Sequence, residues 1–312
     1  MRKEGVLRHT RNGDAYVLPC PLTTVYLSPR ERVLRWARRD ANPFFHLMEA
    51  LWMLAGREDV AFVDEFNSKI KGYSDNGVTF NGAYGYRWCQ YFGYDQVNLI
   101  ISQLKANPDC RRQVLQMWDA ARDHGSASKD VPCNTNAYPQ INVEGQLDLM
   151  VCNRSNDLIW GAYGANAVHF SVLQEYMAAA IGVPVGAYYQ VSMNTHLYVG
   201  PHGWMLDEDA LGEKPDEDLY ADQGCEPFPL MSLPKNRWDR EMVLLVERGP
   251  EDCPGLDDPF LEAVVRPLWL AWRAFKEGGP ERVGRAQEQL RSCAAQDWSR
   301  AAFEWLERRR KA

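Results

Sequence analysis

Pro132-Cys133, Arg154-Ser155-Asn156-Asp157, Gly161 and Asn166 fall within one short stretch of the chain. They supply a thiol, an anion-binding Arg-Ser pair, a carboxylate and an amide. A group of this kind can hold a nucleoside monophosphate and attack its base covalently. A thiolate adds to the electron-poor carbon 6 of a pyrimidine, and carbon 5 then becomes an enolate-like nucleophile that captures a one-carbon electrophile. This chemistry needs a thiol of lowered pKa, which neighbouring arginines can provide. It also needs guanidinium groups to clamp phosphate, an amide for the base edge, and an acid to manage protons at the base oxygen. The chain offers Cys133, then Arg111, Arg112 and Arg154 with Ser155, then Asn166 and Glu49. Spacing alone does not bring these groups together.

The elements that must position them are legible in part. Asn42-Pro43 opens an apolar helical segment from Phe44 to Ala55 that ends at Gly56 and carries Glu49. Within it Glu49 lies either on the solvent face or in a buried functional position. Residues 72–88 read as loop leading into helix, and Tyr94 to Leu104 as an amphipathic helix. Gln113 to Trp118 alternates like a strand. Gln140 to Val143 and Gln146 to Cys152 read as a hairpin turning at Glu144-Gly145. A helix is predicted from Asn166 to Ile181, a strand from Gly186 to Met193, and a surface excursion over 205–230. Pro259 to Glu277 and Pro280 to Lys311 read as helices. Strands interleaved with helices, including a hairpin, indicate a mixed α/β (α+β) domain.

Composition narrows the function classes. The chain has 312 residues, is 46% hydrophobic and carries a net charge of −7, enough for a large core and against a general nucleic-acid binder. No apolar run has the length of a membrane span or a signal peptide, so the expectation is a cytoplasmic protein. The eight cysteines are scattered, with no CxxC pattern. Neither a disulfide framework nor a metal site is expected.

Six short motifs in order resemble the thymidylate synthase family, which includes the pyrimidine nucleotide hydroxymethylases. They are Phe45-His46-Leu47-Met48-Glu49-Ala50-Leu51-Trp52, Ala83-Tyr84-Gly85-Tyr86-Arg87-Trp88 and Asn107-Pro108-Asp109-Cys110-Arg111-Arg112. Pro132-Cys133, Asn153-Arg154-Ser155-Asn156-Asp157 with Gly161, and Thr195-His196-Leu197-Tyr198 complete the set. The resemblance implies a thymidylate synthase-like core over 1–204 with one sheet face forming a homodimer interface. Residues 205–312 would be a family-divergent, mostly helical extension packed on that core. It implies Cys133, Glu49, Tyr84 and Asn134 as the catalytic set, with Cys133 the nucleophile, Glu49 the acid and Tyr84 assisting proton removal at carbon 5. Phosphate would be held by Arg154, Ser155 and Arg11, with Arg111 and Arg112 reaching in from the partner of a homodimer. His196 and Tyr198 would bind the sugar, and Asn166 would read the base. Asp157 would hold the pterin of methylenetetrahydrofolate, with Trp160 and Gly161 beside it. No metal, membrane or stable nucleic-acid partner is implied.

Four departures bear on which reaction is run. Asn134 follows the nucleophile where synthases usually have His. Val63-Asp64-Glu65-Phe66 stands for Trp-Asp-Glu-Trp, which should leave room for water beside an exocyclic methylene. The Gly161-to-Asn166 segment is one residue longer than in synthases. Glu307-Arg308-Arg309-Arg310-Lys311 replaces an apolar closing tail. Water attack gives a hydroxymethyl group where hydride gives methyl. An amide at Asn166 matches uracil, whereas cytosine enzymes of the family tend to carry Asp there. The expectation is therefore a hydroxymethylase acting on dUMP. The alternatives are dUMP methylation, a dCMP or CMP hydroxymethylase, and a non-catalytic nucleotide- or RNA-binding regulator of the same fold.

Overall fold

The computed structural model describes residues 1–206 and 218–310. Residues 207–217 of the acidic excursion expected over 205–230 fall outside the described residues, as does Lys311 of the basic C-terminal segment. In chain order the strands are β1 (Val6–Thr10), β2 (Gly13–Val17), β3 (Leu22–Tyr26), β4 (Leu115–Gln116), β5 (Asn134–Ile141), β6 (Leu147–Asn153), β7 (Asn156–Asp157), β8 (Val185–Ser192) and β9 (Thr195–Tyr198). The helices are α1 (Pro43–Leu54), α2 (Val60–Phe66), α3 (Tyr84–Tyr86), α4 (Gln96–Ala106), α5 (Ala120–Asp123), α6 (Ala165–Ile181), α7 (Val199–His202), α8 (Lys235–Asp252), α9 (Arg266–Lys276), α10 (Arg282–Leu290) and α11 (Gln296–Glu307).

The chain divides into two compact units, residues 1–29 with 87–215 and residues 30–86 with 216–312. This division does not run along the sequence boundary near 204, because the helical segment after Pro29 clusters with the C-terminal helices.

Among the described residues the first unit holds all the strands, in two sheets ordered β1-β2-β9-β7 and β3-β8-β6-β5-β4. β5 and β6 form the expected hairpin, although β5 starts at Asn134, directly after Cys133. β6 and β8 run parallel, so the chain must cross over between them, and α6 is that crossover. α6 is buried on nearly every side. Its Gln174 side chain donates to the Leu147 carbonyl at 2.8 Å, tying helix to sheet.

Alternation decides which face of the larger sheet is closed. Leu147, Leu149, Val151 and Asn153 of β6 are buried, as are Gly186, Tyr188, Gln190 and Ser192 of β8. The buried face is thus apolar along most of its length and becomes polar at one end. Across the three strands the register sets Asn134 opposite Asn153, and Asn153 opposite Ser192.

The second unit is helical. Asn42 caps α1 by accepting from the Phe45 N–H at 3.2 Å, and Pro43 occupies the first turn, where its missing N–H costs nothing. Phe44 packs against Trp272 and Trp305, with ring centroids 5.4 and 5.7 Å away. Trp269 and Trp272 both donate their indole N–H to Glu65, at 3.0 and 3.1 Å. The charged C-terminal segment is two helices rather than one, broken over residues 291–295 between α10 and α11. α8 had no sequence-level expectation; its apolar residues Trp238, Met242, Leu245 and Val246 recur at helical spacing.

One ion pair in the first unit is closed off from solvent. Arg87 donates to Asp123 at 2.6 and 2.9 Å and to the Met117 carbonyl at 2.6 Å, with both side chains fully buried. Removing one partner strands a charge in a low-dielectric interior. Asp123→Ala is expected to lower unfolding free energy by about 3–5 kcal/mol, measured as a shift of the urea midpoint at unchanged slope.

Candidate active site

Cys133 sits at the mouth of the β5–β6 hairpin. The Asn134–Asn153 pairing draws Cys133 and Arg154 together, and the Arg154 N–H donates to the Cys133 carbonyl at 2.9 Å. The Arg154 side chain then ties down the loop ahead of the thiol. Its Nε donates to the Pro132 carbonyl at 2.8 Å and its Nη2 to the Val131 carbonyl at 2.8 Å. The same Nη2 lies 3.8 Å from the Cys133 Sγ. Arg154 also lies over the Trp118 ring, 5.8 Å from its centroid. The residue is exposed, so an anion can reach it, and Ser155 beside it is half-buried.

Arg11 belongs to the turn between β1 and β2 and approaches the Lys129 carbonyl at 3.5 Å. Its charge acts on Cys133. Asn12 of the same turn donates to the Tyr198 hydroxyl at 3.4 Å. On β9, Thr195 and Leu197 point inward while His196 and Tyr198 share the more exposed face, with ring centroids 4.9 Å apart in an edge contact. The turn carrying Arg11 therefore stands beside the His196–Tyr198 pair, as β2–β9 pairing requires.

The thiol itself departs from expectation. Burial pushes the Cys133 pKa up, with Asp130 adding to the rise, while Arg154 and Arg11 pull it down without prevailing. In the protein without substrate the group is therefore a neutral thiol at physiological pH.

Around Asn166 the side chains form a closed circuit. Asn134 Nδ2 donates to Asn166 Oδ1 at 3.3 Å, and Asn166 Nδ2 donates to Asn156 Oδ1 at 3.1 Å. Asn156 Nδ2 donates to Ser192 Oγ at 3.0 Å and to Gln190 Oε1 at 2.7 Å. The Ser192 hydroxyl donates to Asn153 Oδ1 at 3.2 Å, and Asn153 Nδ2 donates back to Asn134. Asn134, Asn153, Asn156, Gln190 and Ser192 are all buried, while Asn166 is part exposed. Gly161 makes room for this circuit, since a Cβ there would collide with Asn156 Oδ1 and come within 3.0 Å of Asn166 Nδ2.

The extra residue before Asn166 is absorbed locally. Residues Leu158–Ala162 form a π-turn closed by the Tyr163 N–H on the Leu158 carbonyl at 2.9 Å. Such a turn takes up one residue more than an α-turn, and Asn166 still reaches Asn134 and Asn156. Asp157 caps the turn, its Oδ1 accepting from Ile159 and Trp160 N–H at 2.7 and 2.8 Å. Trp160 is 46% exposed next to it.

Arg111 and Arg112 are exposed on the segment before β4. Among the described residues neither guanidinium makes a hydrogen bond or ion pair. The remaining expected residues belong to the helical unit. Glu49 is half-buried on α1, where nearly all its neighbours are buried. Tyr84 is half-buried on α3, and the next residue, Gly85, lies directly on the Met53 backbone of α1, where a Cβ would clash. Glu49 lies one turn before Met53. Val63 is 1% exposed, so the small side chain is closed over by its neighbours and lines no open water position. Arg308 and Arg309 pair with Asp40 at 3.0 and 2.7 Å and Arg310 with Glu307 at 2.7 Å, so these basic residues tie down their own unit. Among the described residues no group of three or more His, Cys, Asp or Glu is placed to hold a metal, and no helix is long and apolar enough to cross a membrane.

The sequence assigns no role to Asn153 and Asn156, although both lie within a quoted motif, and does not single out Gln190, Ser192 or Tyr26. The available signal was phase: Asn153 continues the inward row Leu147, Leu149, Val151 at period two, so a polar side chain was due inside.

A family model described as thymidylate synthase matches residues 38–257. The chain belongs to the thymidylate synthase family. Within that family it is 51% identical over 317 residues to a deoxyuridylate hydroxymethyltransferase of Pseudomonas phage M6, covering 99% of this chain and 89% of that one. A protein of the same name from Bacillus phage SP01 is 38% identical over 200 residues, 61% of this chain and 52% of its own. A thymidylate synthase of Symbiobacterium thermophilum is 31% identical over 172 residues, 50% of this chain and 59% of its own. The M6 match spans the C-terminal helices, whereas the other two leave much of this chain uncovered.

Because only the thiolate is alkylated readily, the raised pKa makes a direct prediction. Iodoacetamide labelling of Cys133, followed by peptide mass analysis, should show an apparent pKa above the ordinary value of about 8.5. Arg154→Gln removes a lowering charge and should move the midpoint higher still.

Proposed function

We propose that this chain transfers a one-carbon unit to carbon 5 of dUMP and completes the reaction with water, giving 5-hydroxymethyl-dUMP. The observation that carries it is the full-length likeness to the M6 phage deoxyuridylate hydroxymethyltransferase; the approach of Arg154 to the Cys133 sulfur at 3.8 Å supports it.

The phosphate of dUMP would lie against Arg154, Ser155 and Arg11, with His196 and Tyr198 on the sugar. Cys133 would lose its proton as substrate binds and add to carbon 6. The electron pair displaced from the ring moves toward carbon 5 and the base oxygen, where an acid must balance it; Glu49 and Tyr84 are the groups assigned to those protons. Methylenetetrahydrofolate is the co-substrate that supplies the one-carbon unit. The residues present fit its pterin: Asp157 Oδ1 is engaged in capping, Oδ2 has no partner among the described residues, and Trp160 offers an exposed ring beside it. Carbon 5 then gives up its proton and the tetrahydrofolate amine would leave, giving an exocyclic methylene; water adds to that methylene, and the electron pair returning through the ring re-forms the C5–C6 double bond, expels the Cys133 sulfur and leaves the water's proton to restore the thiol.

Two observations support a homodimer. On the open face of the larger sheet, Tyr138, Met150, Tyr189 and Val25 stand in one row across four strands. Val25 is 45% and Tyr138 37% exposed, an apolar row that a second copy would cover. Arg111 and Arg112, whose guanidinium groups have no partner among the described residues, are then available to a neighbouring site.

The deciding experiment is incubation with dUMP or dCMP and methylenetetrahydrofolate, with mass analysis of the product. A 5-hydroxymethyl product from dUMP is expected. A methyl product with dihydrofolate would overturn the reading, as would exclusive use of dCMP. Cys133→Ala should abolish turnover, by at least about 10³-fold, while leaving dUMP binding within severalfold of wild type.

A further inference from the structure

An amide at the base-reading position does not by itself distinguish uracil from cytosine. Uracil presents a ring N–H and a carbonyl oxygen; cytosine presents a bare ring nitrogen and an amino group. An asparagine turned over by 180° exchanges its donor and acceptor and serves the other base equally well. Discrimination therefore depends on what prevents the amide from turning.

The circuit around Asn166 has a direction, and one group sets it. The Ala162 carbonyl can only accept, and the Tyr26 hydroxyl donates to it. Burial, with Tyr163, pushes the Tyr26 phenol well above its ordinary pKa, so the proton stays in place. With that proton committed, the Tyr26 oxygen must accept, and Gln190 Nε2 donates to it at 3.2 Å. The other end of Gln190 is then the oxygen, which obliges Asn156 to present Nδ2 at 2.7 Å. Asn156 consequently offers Oδ1 to Asn166 Nδ2, and Asn166 offers Oδ1 to Asn134 Nδ2. Asn134, Asn153 and Ser192 close the loop in the same sense. The backbone holds the far side as well, since the Tyr188 hydroxyl donates to the Asn166 carbonyl at 3.3 Å and its ring stacks on Tyr26 at 4.9 Å.

Resting on the reading that Asn166 faces the base, we infer that the Ala162–Tyr26–Gln190–Asn156 relay, closed by Asn134, locks the Asn166 amide in the orientation that accepts uracil and rejects cytosine. The circuit uses one N–H and one lone pair of Asn166 and leaves one of each. The free N–H suits the carbonyl oxygen at carbon 4 of uracil, and the free lone pair suits its ring N–H. To read cytosine, Asn166 must turn over, which sets nitrogen against nitrogen at Asn134 and oxygen against oxygen at Asn156. Both mismatches fall on buried groups that water cannot rescue. Tyr26, Gln190, Asn156 and Asn134 are positioning residues in this scheme: they act on the base through Asn166.

The test is the ratio of kcat/KM for dUMP to that for dCMP. Tyr26→Phe removes the committed donor and lets Gln190 turn; the ratio should fall by about tenfold or more, with dCMP use rising. Asn134→Asp, which only accepts when ionised, demands a donor from Asn166 and should also shift the ratio toward dCMP. A purely structural defect lowers both substrates alike and leaves the ratio unchanged. A folded Tyr26→Phe protein, checked by its thermal unfolding curve, whose ratio stays within about twofold of wild type would overturn the relay. If Tyr26→Phe does not fold, the same criterion applies to Asn134→Asp. A wild-type enzyme with no preference for dUMP would instead reject the underlying assignment of the substrate.

Discussion

The pairing of Asn134 with Asn153 is the constraint on which the site in the strand-bearing unit depends. Cys133 precedes one of these residues and Arg154 follows the other, so the ladder itself brings the sulfur and the guanidinium together. Ser192, opposite Asn153 on β8, extends the row into the amide circuit. A slip of one residue would turn Asn153 to the open face and carry an apolar or half-exposed neighbour inward. The positions of the Cys133 thiol, the Arg154 guanidinium and the Asn166 amide would then be lost together.

Arg154 illustrates how one side chain can serve both architecture and electrostatics. Its hydrogen bonds to the Val131 and Pro132 carbonyls give the loop ahead of Cys133 its shape, while its charge opposes the desolvation of the sulfur. Desolvation prevails, so the resting state holds a thiol with little reactivity toward stray electrophiles and oxidants.

Much of this was legible in the sequence, for identifiable reasons. The apolar run behind Asn42-Pro43, the Glu144-Gly145 turn and the long helix before Gly182 are local signals, and the structure contains all three. Short motifs marked Cys133, Arg154 and Asn166 because each is a chemically distinctive type beside distinctive neighbours. The circuit partners were less visible. Tyr26, Gln190 and Ser192 are remote in sequence from Asn166 and acquire their roles only through β3–β8 pairing and the parallel β6–β8 crossover. The burial of Cys133 is hidden for a related reason: arginines can be counted in a sequence, but the depth of a sulfur cannot. The extra residue before Asn166 looked disruptive as a spacing and proved compatible once expressed as a π-turn.

The interleaving of the two units has a consequence for biosynthesis. Residues 30–86 emerge from the ribosome before 87–215, yet they cluster with 216–312. α1, nearly all of it buried in the finished protein, has no access to Trp272 and Trp305 until the last part of the chain exists. At roughly 5–20 residues per second, that interval is on the order of ten seconds. Throughout it, one of the most apolar segments of the protein must remain uncovered or be sheltered by other molecules, which makes α1 the natural place for chaperones to bind and for aggregation to begin.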